Sequence, residues 1–394
     1  MKLPALEKAK VFGKTVFVRA DLDVSIKSQK SKVKSQKSVE DDTRLKAGLP
    51  TIEYLLKNGA KVIIAGHLGR PKGIEKSLSL EPVARWMFKK FEIRNLKFEF
   101  KLKIKNLKLK NIKLGEFDGW ELSDNLFLLE NLRFYKGEEN PTTASGLGFA
   151  RKLARLADIY INDAFAVCHR GHASIVSVPK YLPHFAGFHL QEEIRVLSSV
   201  LDKPKRPLVL IIGGAKIETK LPLVEKMADF ADYVLVGGKI AKEFTEILKT
   251  QNQNKSRKAA LLVADLNQDG FDITPKSIDD FLRIISFAKT VVWNGPVGMT
   301  KSTHSTSSGL MLSEVEASNI KNQISKIDTE KGTRELAKGI VRSKAYTVVG
   351  GGDTLAFLRK VGLINKFSFV STGGGAMLEF LSGEKLPGLI ALLS

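Results

Sequence analysis

Nine short β-branched runs recur along the chain, spaced by segments with helical periodicity. TVFVRAD, KVIIAGHLGR, NLFLLENLR and DIYIND stand in the first half. PLVLIIGG, DYVLVGG, TVVWNGP, YTVVGGGDT and FVSTGGGA stand in the second. Strand–helix–strand alternation predicts parallel sheets. The runs are continuously apolar, as strands covered on both faces are. Ligands of such sheets bind beyond the carboxyl ends of the strands, so the residues that follow each run carry the functional information. A length of 394 residues suggests two or three domains.

In the first half, cations follow the strands. Arg19 ends the first run, His67 and Arg70 follow the second, Arg133 the third and Arg170 the fourth. Arg44 opens a helix behind the capping-type residues Asp41, Asp42 and Thr43. One arginine after a strand is a common surface residue. Repeated after four strands, it predicts a rim that binds a small, highly anionic ligand through the planar guanidinium fork. In the second half, glycines follow the strands. Glycine lets a backbone approach a ligand, and helix starts present free N–H groups to phosphate. A single pair is weak evidence, but five such junctions predict a nucleotide site. No G-x-x-x-x-G-K-[ST] occurs, and GLGFAR at 146–151 fails the G-x-G-x-x-G pattern, which argues against P-loop, dinucleotide and protein-kinase loops. HLQEEIRVLSSVL, 189–201, reads as a connecting helix and a hinge.

The net charge of +21 raises a nucleic-acid reading. Two segments, 27–38 and 94–113, supply 12 of it, and both are internally repetitive. IKSQKS and VKSQKS read as a solvated, flexible insertion. The second segment alternates Lys with Leu and Ile, as a half-exposed strand does. Neither offers the aromatic platforms of single-strand binders. A lysine-rich surface is favoured over a nucleic-acid arm, and a basic binding or scaffold protein is the alternative kept open. TKSTHSTSSGLMLSEVEAS, 300–318, reads as a further inserted loop. One cysteine excludes a disulfide framework. With no signal-like start and no run of about eighteen apolar residues, the expectation is a cytoplasmic protein without membrane contact.

INDAFAVCHRGHAS, 161–174, places Cys168 among two of the six histidines, His169 and His172. A metal site lacks a second thiolate and a converging ligand set. A Cys–His pair of adjacent residues is poorly placed for proton transfer. Arg170 is the residue that matters there, with His169 and His172 holding the loop and Cys168 packing.

These motifs in this order resemble the phosphoglycerate kinase family: VRADLDV, DDTRLKAGLPTI, GHLGRP, LLENLRFYKGEE, YINDAFAVCHRGHAS, RPLVLIIGGAKIETK, VVWNGP, VVGGGDT and VSTGGGA. Their joint occurrence is specific, whereas GGGDT or STGGGA alone would not be. The resemblance implies an α/β fold of two Rossmann-like domains with parallel sheets, joined by a hinge helix, in a monomer. Residues 1–188 would bind 3-phosphoglycerate, 189–201 connect the domains, 202–380 bind ADP/ATP, and about 381–394 pack back on the first domain. It implies reversible transfer of the acyl phosphate of 1,3-bisphosphoglycerate to ADP, with Mg²⁺, in glycolysis and gluconeogenesis. Carried over by position, the acid site becomes Asp21, Asp23, Arg44, His67, Arg70, Arg133 and Arg170, with Arg19 behind. The nucleotide site becomes Gly213, Gly214, Lys216, Lys220, Gly237, Gly238, Asn294, Pro296, Gly351, Gly352, Asp353 and Thr354, and Asp353 takes the metal role. Arg44, Lys220 and Lys216 are the expected catalytic cations.

Blander readings stand beside these. Asp21 and Asp23 would pair with arginines in any fold, Asn294 suits a turn, Asp353 suits a helix cap, and Lys216 and Lys220 have the spacing of one helix face. A kinase for another acyl phosphate is disfavoured by the full Arg44, His67, Arg70, Arg133, Arg170 set. Trp86 and Trp120 read as packing residues. The chain also departs from the family. Asp23 stands where the family more often has Asn, and Lys239 where many members have a third Gly. The 300–326 insertion displaces the Glu that holds the ribose, for which Glu330 is the candidate.

Overall fold

A computed structural model describes residues 2–30, 35–95, 109–215, 220–250, 258–300 and 328–394. The chain forms two compact units, Met1–Arg195 with Lys385–Ser394, and Val196–Glu384. The helix Phe188–Asp202 spans the boundary in sequence.

In the first unit the strands are β1 (Thr15–Ala20), β2 (Ile26–Lys30), β3 (Ser35–Val39), β4 (Lys61–Ala65), β5 (Lys110–Leu114), β6 (Phe117–Ser123), β7 (Leu126–Leu129), β8 (Ile159–Asp163) and β9 (His184–Ala186). Seven form one sheet in the order β5-β6-β7-β4-β1-β8-β9. The pairs β1–β4, β1–β8, β4–β7 and β8–β9 are parallel, and β5–β6–β7 form an antiparallel flank. That flank turns at Leu114–Phe117, where Gly115 holds φ +60°, a conformation open to glycine. Val16, Val18, Ile64, Leu128 and Ile161 are completely buried and centre the core. Each such side chain contributes about 1.5–3 kcal/mol.

The flexible insertion expected at 27–38 is corrected in its described part. Residues 26–30 and 35–39 pair as an antiparallel hairpin, Ile26 opposite Val39 and Lys30 opposite Ser35. Ile26 and Val39 pack on the core and root the ladder, which the lysine-rich composition hid. In 94–113, read as a half-exposed strand, residues 110–113 belong to the edge strand β5, 94–95 end the helix Glu81–Asn95, and 96–108 lie outside the described residues.

The second unit has β10 (Leu208–Ile212), β11 (Tyr233–Val236), β12 (Ala260–Val263), β13 (Thr290–Asn294), β14 (Tyr346–Gly350) and β15 (Phe369–Val370). They form a fully parallel sheet in the order β12-β11-β10-β13-β14-β15. Strand order reverses between β10 and β13, the switch point where doubly wound sheets bind ligands. In the first unit the corresponding reversal lies between β1 and β8.

Candidate active-site surfaces

Parallel pairing sets the carboxyl ends of β1, β4, β7 and β8 on one edge of the first sheet. Arg19 and Asp21, His67, Arg133 and the 165–176 loop therefore meet there. Arg44 lies in the first turn of the helix Thr43–Lys57, which Asp41 starts by accepting from the Thr43 N–H (3.1 Å) and hydroxyl (2.7 Å). Arg44 Nη1 donates to Asp21 Oδ1 at 3.1 Å and to the Asp23 carbonyl at 3.2 Å. Burial raises the Asp21 pKa, and the Arg44 charge opposes this. Asp23 Oδ1 accepts from Gly69 N at 2.8 Å, and Oδ2 lies 3.9 Å from His67 Nε2. The extra carboxylate is thus held by a backbone donor, with the neutral histidine beyond hydrogen-bond distance. The Gly69 carbonyl accepts from Arg133 Nη1 at 2.5 Å, and Arg133 Nε lies 3.1 Å from Glu139 Oε1. Arg170 Nε lies 3.3 Å from His169 Nε2, and its charge reaches His67, Arg133 and His172. Arg70 stands apart. It is exposed and has no side-chain partner among the described residues.

Arg19 is completely buried, as its placement behind the surface requires. It donates to Ser174 Oγ (2.8 Å), the Ala20 carbonyl (2.6 Å) and His67 Nδ1 (3.1 Å). His67 and His172 meet edge to face, with centroids 6.0 Å apart. Burial, then the surrounding arginines, pushes the His67 pKa well below its usual value and that of His172 down to about 3. Both rings are neutral at physiological pH. Cys168 is packing: it is completely buried, and Asn162 Nδ2 lies 3.6 Å from its Sγ.

Sequence reasoning missed Asn131, Glu138 and Ser174. Asn131 Nδ2 donates to the carbonyls of Leu68 (2.8 Å) and Leu78 (2.9 Å), and its Oδ1 accepts from Arg133 N at 3.1 Å. Glu138 bonds Ser174 through both carboxylate oxygens. The signal was inside LLENLRFYKGEE: acids beside a rim that must be cationic need a structural reason.

In the second unit, glycine loops converge at the switch point. Gly213 N donates to the Asn294 carbonyl (3.0 Å), Gly214 N to the Pro296 carbonyl (2.8 Å) and Ile240 N to the Gly214 carbonyl (3.2 Å). Gly237 and Gly238 follow β11, and a Cβ on Gly238 would stand 2.8 Å from Gly214 N. Lys220 is almost fully buried, and its Nζ donates to the Gly213 carbonyl and lies 2.7 Å from where a Gly214 Cβ would sit. The shared helix face considered for Lys216 and Lys220 is corrected at Lys220. The helix Leu221–Met227 begins only after it, with a proline in its first turn, and Lys220 caps it; Lys216 lies outside the described residues. Asn294 is buried, and a Cβ on Gly351 would lie 3.1 Å from its Oδ1. The cap of the helix Gly352–Lys360 is Gly351 (φ +92°), so Asp353 is in its first turn and is not the cap. Thr354 Oγ1 accepts from Gly295 N at 2.9 Å. Thr329 Oγ1 donates to the Met299 carbonyl at 2.6 Å, so the chain after the insertion resumes beside WNGPVGM. Glu330 follows there, its Oε2 bonded to Lys360 Nζ at 2.5 Å. Among the described residues no cluster of three or more His, Cys, Asp or Glu is placed to hold a metal.

A cation rim on one α/β unit and a glycine-lined, lysine-bearing switch point on the other are the working parts of an α/β phosphotransferase. The family model for phosphoglycerate kinase matches residues 6–262, 246–327 and 324–384. A phosphoglycerate kinase of Leptospira biflexa is 36% identical over 100% of this chain and 99% of its own; one of Dictyoglomus turgidum is 35% identical over 96% of each. The solved phosphoglycerate kinase of Coxiella burnetii covers 100% of this chain and 99% of its own at 31% identity, with a TM-score of 0.71. The chain belongs to the phosphoglycerate kinase family. Its reaction is phosphoryl transfer to a carboxyl group, a step of glycolysis.

Proposed function

We propose that the Met1–Arg195 unit binds 3-phosphoglycerate or 1,3-bisphosphoglycerate through Asp21, Asp23, Arg44, His67, Arg70, Arg133 and Arg170, and that the second unit binds ADP or ATP through its glycine loops. The observation that carries this reading is the continuous contact path Arg44–Asp21 and Arg44–Asp23–Gly69–Arg133, which joins residues from four chain segments. In the ATP-consuming direction the nucleophile is a carboxylate, ionised at pH 7, so no general base is assigned. Neutral His67 serves as a hydrogen-bond donor. Catalysis then consists of positioning and of neutralising charge on the transferring group. Lys220 and Arg44 supply that charge, with Lys216 supporting. Mg²⁺, when bound with the nucleotide, neutralises phosphate charge; a single carboxylate, Asp353, suits an ion that keeps several waters. Glu330 is the ribose candidate, supported by its place beside Met299.

The helix Phe188–Asp202 is read as the hinge, and the protein as a cytoplasmic monomer that needs no nucleic acid. No helix among the described residues is long and apolar enough to cross a membrane. A coupled assay of ATP-dependent 3-phosphoglycerate phosphorylation tests the reaction, and a folded protein without turnover would sink it. Arg44→Ala is expected to lower kcat/KM by about 100- to 1000-fold while the chain stays folded by circular dichroism, with a lower melting temperature because buried Asp21 loses its partner. Unaltered kinetics would remove Arg44 from the mechanism.

A further inference from the structure

Glu138 is completely buried, in the loop after β7. A carboxylate there is retained only with strong partners. Its Oε1 accepts from Ser174 Oγ at 2.6 Å, its Oε2 from Ser174 N at 3.0 Å, and its own carbonyl from Ala173 N at 2.8 Å. Oε1 also lies 3.8 Å from Arg19 Nη2 and 3.7 Å from His172 Nδ1. One side chain thus ties the loop after β7 to the loop after β8 and to the end of β1.

The consequence reaches two histidines. Ser174 Oγ accepts from Arg19 Nε, and the Ala20 carbonyl takes Arg19 Nη1, which leaves Nη2 aimed at His67 Nδ1, 3.1 Å away. A guanidinium only donates. His67 Nδ1 therefore accepts, and its proton sits on Nε2, toward half-exposed Asp23. Arg133 Nη2 lies 3.4 Å from His172 Nε2, so that nitrogen accepts as well, and the His172 proton sits on Nδ1, which has no hydrogen-bond partner among the described residues and faces Glu138 Oε1 at 3.7 Å as an ion–dipole contact. A neutral imidazole has one donor, and the tautomer decides which way it points.

We propose that Glu138 is a positioning residue: through Arg19, Ser174 and His172 it locks both imidazole tautomers, turns the His67 Nε2–H toward the bound acid and sets Arg133. The functional half of this rests on the reading of that surface as the 3-phosphoglycerate site.

Long-range proton–nitrogen spectra of the full chain labelled with ¹⁵N-histidine test it between pH 6 and 8, with signals assigned by single substitutions. The wild type should show His67 as the Nε2–H form and His172 as the Nδ1–H form. Glu138→Gln keeps the shape and removes the charge. It should mix the His172 tautomers and raise KM for 3-phosphoglycerate on the order of 10-fold, with KM for ATP unchanged. A wild-type His67 carrying its proton on Nδ1 overturns the proposal. So does a folded Glu138→Gln protein with unaltered spectra and KM. If that variant does not fold, Ser174→Ala, which frees Arg19 Nε, should shift the His67 signal; an unmoved signal overturns the proposal equally. Wild-type protein without turnover would remove the assigned reaction, while the spectra still decide the tautomer lock.

Discussion

Asp163, the last residue of β8, is a buried carboxylate whose two oxygens have different surroundings. Oδ1 accepts from Leu190 N at 3.1 Å, in the first turn of the helix Phe188–Asp202, whereas Oδ2 has no hydrogen-bond partner. Burial raises its pKa to about 7, against the hydrogen bonds from Thr51, Leu190 and His189. The folded pKa is above the unfolded one near 3.9. Its contribution is therefore fully present below about pH 4 and is lost as pH rises through 7. At about 1.36 kcal/mol per unit, the ionised group costs on the order of 4 kcal/mol at pH 8. Asp163→Asn should gain about 3 kcal/mol on the wild type between pH 5 and pH 8 in urea unfolding, since two of those pH units lie below the folded pKa. An equal difference at both pH values would put the Asp163 pKa in the ordinary range. Such features are illegible in sequence. NDAF shows an acid after a strand, but only packing reveals which oxygen lacks a donor. Arg133 and His67 were legible because cations recurred after strands; Glu138 and Ser174 were not, because their partners are distant in sequence.

Among the elements, the glycine loops divide into those the fold needs and those it leaves open. Gly295 has φ +93°, and a Cβ there would meet the Gly213 backbone and Lys220 Nζ, so Gly295→Ala is expected to cost about 1–3 kcal/mol and lower the melting temperature. Gly352 begins a helix with nothing within 4 Å of an added Cβ, so Gly352→Ala should fold at least as well as the wild type. If close approach of nucleotide phosphate is why glycine stands at 352, that variant raises KM for ATP while its melt is unchanged. An unchanged KM would take Gly352 out of the nucleotide site. Strand runs and their following loops were readable because buried parallel strands are continuously apolar and their exits carry distinctive residues. The β2–β3 hairpin was not, since lysine, serine and glutamine mark exposure and say little about pairing. Nor was the start of the helix after Lys220, since the i,i+4 spacing of Lys216 and Lys220 does not say where a helix begins.

For the molecule as a whole, the net charge of +21 exceeds what one small anionic substrate needs. Lys27, Lys30 and Lys37 lie in the β2–β3 pair, whose two ends run into Asp23 and Arg44 in sequence. Long-range attraction at this scale acts on encounter more than on the chemical step, and it fades as the Debye length falls from about 30 Å at 0.01 M salt to about 8 Å at 0.15 M. We therefore expect kcat/KM for 3-phosphoglycerate to fall several-fold over that salt range, with kcat at saturation nearly constant. Replacing the five lysines of 27–38 with glutamine should flatten the salt dependence and leave kcat unchanged. Arg44→Lys should lower kcat/KM at every salt concentration, because a compact ammonium lacks the planar fork that the guanidinium offers an anionic substrate beyond the Nη1 contacts to Asp21 and Asp23. A kcat/KM independent of salt would show that the excess charge plays no part in substrate capture. Tight oligonucleotide binding at physiological salt, abolished in the five-lysine variant, would instead assign that charge to a nucleic-acid partner.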